Sequence, residues 1–494
     1  MMKIKNILLL AVLFVGMTTY AQDNILLERD FWKTKPDVAT VKAKITEGND
    51  PDQLNAYNFD PVVYAILEDT PNETIQYLIS LDGNGVNKLT HDGRTYIFWA
   101  AYKGNNELMI QLITQGAKTD IVDDHGSTIL NFAATTGQQN TKVFDICLAN
   151  GANLKKDLNH DGANALLLTA PHNKDFKVVD YFVSKGLDIN STDAEGNSLF
   201  NYIAKAGNIE LSKKALTKGI KGDDNAFLFA ARGMRGGTTS LKYYQYLESI
   251  GLSPKTADNN KVTPLHILAA RNKDLTTLQY FIDKGLDVNA KDNEGNTPFI
   301  NAARSNNIEV LTLLSKYNKD ISLANKNGET ALLLAVASNS EDVVEFLIHN
   351  NGADRLNAKD SKGNNIAYYL VQSYNQQSPK AFQNKAKLLA HKGIDLTKTQ
   401  GNGNNLYHLA AEKNSLTLLE WANNYYGDIN TKNSEGYTPL HLAAMIAKND
   451  EVLKYLIKLG ADKKAITDFE ETAFDLASEN EILINNKTGI EFLK

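Results

Sequence analysis

Few side chains in this chain are spaced for chemistry. Asp157-Leu158-Asn159-His160-Asp161-Gly162 opens like a calcium loop, in which alternate oxygens bind the ion and a bidentate glutamate closes the shell at the twelfth position. That position is Leu168, so the ligand set is incomplete. His91, His125 and His160 recur at nearly equal steps, as metal ligands on a repeating frame could. Zinc holds nitrogen at about 2.0–2.1 Å, whereas stacked helices lie about 8–10 Å apart. Imidazoles on successive layers cannot share one ion, and the expectation is three turn residues. Cys147 is the only cysteine and can form no internal disulfide. It falls in the apolar run Val143-Phe144-Asp145-Ile146-Cys147-Leu148, as expected of a core thiol rather than a reactive one. The chain has no nucleophile elbow, zinc-binding His-Glu-x-x-His helix, phosphate loop or Cys-x-x-Cys pair. No catalytic residue, metal site or cofactor is assigned, and an enzyme is not expected.

Repetition is the stronger signal. Thr263-Pro264-Leu265-His266-Ile267-Leu268-Ala269-Ala270 returns as Thr438-Pro439-Leu440-His441-Leu442-Ala443-Ala444. The first small residue of each pair, or its replacement, falls at Ala65, Ala100, Ala133, Thr169, Ile203, Ala230, Ala269, Ala302, Ala335, Leu370, Ala410, Ala443 and Ala477. Steps near 33 residues indicate a stack of small units. With a partial unit opened by Pro36-Asp37-Val38 there are about fourteen, from Asn24 to Lys494. No block of roughly a hundred non-repeating residues, the scale of a further domain, is left over.

The unit from Asp292 to Lys326 shows the design. Asp292-Asn293-Glu294-Gly295 is a tight turn, and Gly295 can take positive φ. Thr297 is suited to cap a helix and Pro298 to occupy its first position. Phe299, Ala302 and Ala303 give a buried stripe, Asn306-Asn307 breaks the helix, and Ile308, Val310, Leu311 and Leu314 mark a second one. Such a unit cannot bury its apolar face alone, so neighbours must cover it. These residues resemble the ankyrin-repeat family, whose pattern runs acidic turn, Gly, Thr-Pro-Leu-His, Ala-Ala, then a second helix closing on Gly-Ala-Asp. Gly126-Ser127-Thr128-Ile129-Leu130, Gly285-Leu286-Asp287-Val288-Asn289 and Gly460-Ala461-Asp462 match it as well. The resemblance implies an all-α solenoid of about 14 stacked helix-turn-helix units with projecting β-turns or hairpins. It also implies structural roles for His266, His408 and His441, and protein binding on the turns and the exposed side of the first helices.

Residues 1–21 differ in kind. Lys3 and Lys5 precede an apolar run from Ile7 to Val15, and Thr19-Tyr20-Ala21 ends on a small residue, as in a secretory signal cleaved before Gln22. The run is shorter than the roughly 20 residues a membrane span needs. A periplasmic or secreted bacterial protein, without membrane insertion after cleavage, is the expectation. Cleavage would move the formal charge from -6 to -8, and no basic block favours nucleic acid or an anionic membrane.

The division expected of the array is residues 22–219, an irregular unit over 220–240 and residues 241–494. A truncated turn at Lys221–Asn225 and a Gly-rich insertion at Gly233–Gly237 should interrupt the binding groove there. A second insertion lies at Tyr374–Pro379. Carrying the family's variable positions over gives Tyr57, Phe59, Arg94, Tyr102, Arg232, Arg304, Tyr437 and Met445 as protein-binding candidates. Aromatic and Arg side chains are the usual anchors of interfaces, and the first four span adjacent units. The expected function is a non-catalytic, monomeric scaffold binding another periplasmic or secreted protein, in the role of an inhibitor, immunity or accessory protein for an enzyme. Family resemblance also suggests protection from oxidative stress through a partner such as catalase. The alternative is an exported effector or toxin-associated protein that uses its repeats for targeting.

Overall fold

The computed structural model describes residues 24–318, 320–351, 356–425 and 427–494, so the signal expected in residues 1–21 lies outside the described residues. Among the described residues there are helices and isolated β-bridges but no strand, and no helix is long and apolar enough to cross a membrane. The chain divides into two compact units, one ending at Gly196 and one beginning at Asn197.

In the first unit the partial repeat is helix Val38–Thr46, capped by Asp37. Helix pairs follow at Pro61–Leu67 with Asn72–Ile79, Tyr96–Lys103 with Asn106–Thr114, Ile129–Thr135 with Thr141–Ala149, and Ala165–Thr169 with Lys177–Ser184. First helices pack on first helices and second on second, and the small residues Ala65, Ala100 and Ala133 at these contacts are fully buried. Turns lock to one another through the main chain, with Asp124 N donating to Asp92 O at 2.9 Å and Ala194 N to Asp161 O at 2.9 Å.

The second unit contains the most regular repeats. Thr297 caps helix Pro298–Ser305 with Pro298 leading, and Val310, Leu311 and Leu314 of helix Ile308–Ser315 are fully buried. The turns form a continuous ladder: Asn293 N to Asn260 O, Lys326 N to Glu294 O, Ser361 N to Asn327 O and Ser434 N to Asn402 O, all 2.7–2.8 Å. Close approach dictates Gly328, whose φ is +76°; a Cβ there would lie 2.7 Å from Ser361 N.

Two polar devices fasten one repeat to the next. His441 Nδ1 accepts from Thr438 N at 3.1 Å, and Nε2, which must then carry the proton, donates to Ala465 O of the following repeat at 3.0 Å. His266 does the same toward Ala290 O, and His408 toward Tyr437 O, both at 3.0 Å. All three are structural, as the resemblance implied, and burial pushes their pKa values down, that of His408 to about 4. The second device is an asparagine before the second helix of several repeats, Asn306, Asn339 and Asn480. Asn306 Nδ2 donates to Ala269 O and Asn272 O at 2.8 and 2.9 Å, and Asn339 Nδ2 to Ala303 O and Asn306 O, both at 2.8 Å. In the repeat carrying the 374–379 insertion, the buried Lys385 takes this place, its Nζ 2.6 Å from Val336 O, and burial pushes its pKa down to about 8.

The truncated turn lies inside this second unit, where it is short but bonded on both sides. Asp223 accepts from Asn201 Nδ2 at 2.9 Å, and Asp224 accepts from Ser253 N at 2.7 Å. Both insertions occupy helix–helix connections, between Ala226–Arg232 and Leu241–Ser249 and between Ile366–Gln372 and Pro379–His391.

Candidate protein-binding surface

Four residues past the cap of each first helix, the first unit places aromatics in three successive repeats: Tyr64 after Asp60, Trp99 after Thr95 and Phe132 after Thr128. Corresponding positions in the second unit are mixed: Tyr202 and Phe229, 4.8 Å apart, and Tyr369 are aromatic, whereas Ile267, Asn301, Leu334, Leu409, Leu442 and Leu476 are not, so only the first unit has three aromatics in succession. The aromatics join residues from the turns in one connected cluster. Phe59 stacks on His91 at 4.4 Å between ring centroids and lies 5.7 Å from Trp99; Trp99 is 5.9 Å from Phe132, and Phe132 is 6.2 Å from Tyr102. His91 Nδ1 bonds Tyr57 O at 2.9 Å, and Trp99 Nε1 donates to Thr90 Oγ1 at 2.9 Å.

This arrangement sorts the four N-terminal candidates. Tyr57 is 73% exposed and Tyr102 is 40% exposed, so both present ring surface to solvent. Phe59 is half-buried against its neighbours. Arg94 is corrected: its side chain is buried and serves the fold. Its Nη2 lies 2.8 Å from Asp123 Oδ2 and its Nη1 3.0 Å from Asp92 Oδ2, while the guanidinium sits 4.3 Å over the Phe132 ring. It also lies 5.5 Å over the Trp99 ring, and a cation held by two carboxylates and two rings has no free face to anchor a partner.

Asp92 also gathers His91 at 3.4 Å and His125 at 3.2 Å. Burial opposes its charge, but His125, His91 and Arg94 outweigh that and hold its carboxyl below the usual range. The third histidine, His160, stands apart on Asp161 at 3.3 Å. Asn159 closes its own turn by accepting from Asp161 N and Ala163 N, and Leu168 is buried in its helix. Cys147 is buried, with its thiol pushed up to about 12 by desolvation.

In the second unit the remaining candidates stay separate. Arg232 pairs with Asp258 at 2.7 Å and lies 5.6 Å over Phe229. Arg304 is exposed and opens a polar groove of about 360 Å³ with Glu329, Asp360, Ser361, Lys362 and Tyr369. Tyr437 is half-buried, and Met445 is 37% exposed. Sequence reasoning missed Trp99, Phe132 and His91, which hold the cluster together. The signal available was the replacement of aliphatic residues by aromatics at one helical position in adjacent repeats.

A helical repeat stack whose exposed aromatics lie on turns and first helices is the form of a recognition scaffold. The family description "Ankyrin repeats (3 copies)" matches residues 62–157, 97–193, 228–325, 266–360, 312–400 and 380–467, and the chain belongs to the ankyrin-repeat family. Ankyrin repeats are protein-interaction scaffolds, typically without catalysis of their own.

Proposed function

We propose that this chain is exported and binds another protein in the periplasm through the aromatic cluster of its first unit, acting as an inhibitor, immunity or accessory protein for an enzyme there. The observation that carries the reading is the cluster itself. Rings from three repeats are packed into one rigid support, and Tyr57 and Tyr102 stand out from it into solvent. Rigid aromatic side chains bury much area at small entropic cost, which is what a hot spot requires. The export signal read from residues 1–21 supplies the setting.

Affinity capture from periplasmic extract tests it, comparing the mature chain with a Tyr57→Ala/Tyr102→Ala double variant. A partner enzyme held by wild type and released by the variant is the expected result. Equal retention by both would remove the surface from the reading, and fractionation of the protein with the cytoplasm would remove its setting.

A further inference from the structure

The turns of the first unit carry a second pattern beside the aromatic cluster. The residue before the turn-opening Asn55, Thr90, Asp123 and Asn159 is Leu54, Leu89, Val122 and Leu158. All four are aliphatic and exposed, by 40%, 63%, 56% and 42%. The register is fixed by the main chain, since Asn55, Thr90, Asp123 and Asn159 each donate across their own turn, to Phe59, Arg94, Ser127 and Ala163. The run ends at Thr192, before the turn opened by Asp193; at the same position the second unit has Ala257, Lys291, Ala324, Lys359, Thr399 and Lys432, and only its last turn carries a large aliphatic, Ile466. One exposed aliphatic residue is unremarked on any surface; four in register on consecutive turns make a stripe.

Charge separates the same two units. Residues 24–196 hold 24 Asp and Glu against 15 Lys and Arg, a net of −9, whereas residues 197–494 hold 33 against 35, a net of +2. Exposed carboxylates Asp50, Asp120, Asp124 and Asp161 lie beside the stripe in sequence, with the exposed Lys118, Lys155 and Lys156 among them, so the negative field is that of the whole unit. An apolar line in a negative field fits an apolar line in a positive one.

Spacing selects the partner's conformation. Stacked repeats advance about 8–10 Å per layer. Seven residues of α-helix rise about 10.5 Å and return to nearly the same face. Three residues of extended chain also cover about 10 Å, but an odd step turns the side chain to the opposite face. We infer that the turn edge of the first unit binds a basic amphipathic helix that presents an aliphatic side chain every seventh residue to Leu54, Leu89, Val122 and Leu158. This rests on the reading of the first unit as the protein-binding part of the chain, and adds the partner's chemistry.

The test uses the full chain and three labelled peptides of roughly 24 residues, long enough for four layers. One has Leu every seventh residue on a Lys/Ala background, one keeps Leu but replaces Lys by Glu, and one keeps Lys but moves Leu to alternate positions. The basic heptad peptide is expected to bind with a gain of helical ellipticity. Its affinity should fall more than about tenfold in a Leu89→Ser/Val122→Ser variant, since burying one such side chain is worth about as much as a tenfold change. An Ile466→Ser variant should bind it as wild type does. Equal binding of either control peptide, or an undiminished affinity in the double variant, overturns the inference. If no peptide binds while capture still depends on Tyr57 and Tyr102, the inference fails and the proposed function stands. Stripe-dependent binding beside capture that ignores those tyrosines leaves the inference standing and refutes the aromatic anchors.

Discussion

Replacing Arg94 by alanine separates a residue that holds the fold from one that holds a partner. Its guanidinium is the only cation within ion-pair distance of Asp123 among the described residues, and the Asp123 side chain has no solvent exposure. Removing one member of a buried pair typically costs about 3–5 kcal/mol, because the charge left behind has lost both water and partner. Here Asp123 Oδ1 keeps the main-chain amides of His125 at 3.0 Å and Ser127 at 2.8 Å. That moves the expectation to the lower end, about 3 kcal/mol, with about 1 kcal/mol more from the lost cation–ring contact with Phe132. The assay is urea unfolding of the full chain in a Trp421→Phe background, so that the remaining tryptophans, Trp32 and Trp99, both report on the first unit. Arg94→Ala should lower the fluorescence midpoint substantially and Arg94→Lys by less, since an ammonium retains the charge but reaches one carboxylate at a time. A change below about 1 kcal/mol in the alanine variant, together with loss of partner capture, would mean that Arg94 is an anchor after all and that the buried-pair argument is wrong.

Acid should weaken the second unit through His408. Its pKa is about 6.5 unfolded and pushed down to about 4 by burial in the fold, so the unfolded chain binds more protons between those values. Stability is therefore full above pH 6.5 and falls as pH drops toward 4, by up to about 3 kcal/mol from this group. Urea midpoints at pH 7 and 4.5 should differ less for His408→Gln than for wild type. Asn339→Ala strands two main-chain carbonyls that its amide satisfies, and a loss of about 1–3 kcal/mol is expected by denaturant unfolding. Asn339→Asp should be worse, because a carboxylate offers those carbonyls no donor. The Cys147 thiol, buried and pushed up to about 12, should resist alkylation at pH 8 and react only once urea unfolds its repeat. Rapid labelling of the native protein would contradict that burial.

The frame was legible because every repeat solves the same local problem with the same residues. Thr297-Pro298 and Thr438-Pro439 state where a helix starts, Gly295 and Gly436 state where the chain must turn left-handed, and both pairs of statements hold in the structure. The histidines at 266, 408 and 441 were legible for the same reason. Arg94 was not, because Asp92 lies in its own turn but Asp123 belongs to the next, and only stacking brings Asp123 to the guanidinium. Exposure cannot be read from residue type when the neighbour that buries the residue lies some 30 positions away. Lys385 was equally hidden: the insertion before it displaces the asparagine found in other repeats, and a lysine long enough to reach the same carbonyls takes over.

Where the repeats depart from their own pattern therefore carries more functional information than where they agree. Agreement at the caps, turns and small-residue contacts is demanded by stacking and would be found in any array of this kind. Stacking does not demand three successive aromatics at one helical position, nor exposed aliphatics on four successive turns, nor a net of −9 confined to residues 24–196. An exposed Leu or Val on a turn gains little from the fold that holds it, whereas the equivalent lysines of the second unit are the ordinary solvated choice. All three departures fall within the first compact unit, which is the physical ground for placing recognition there.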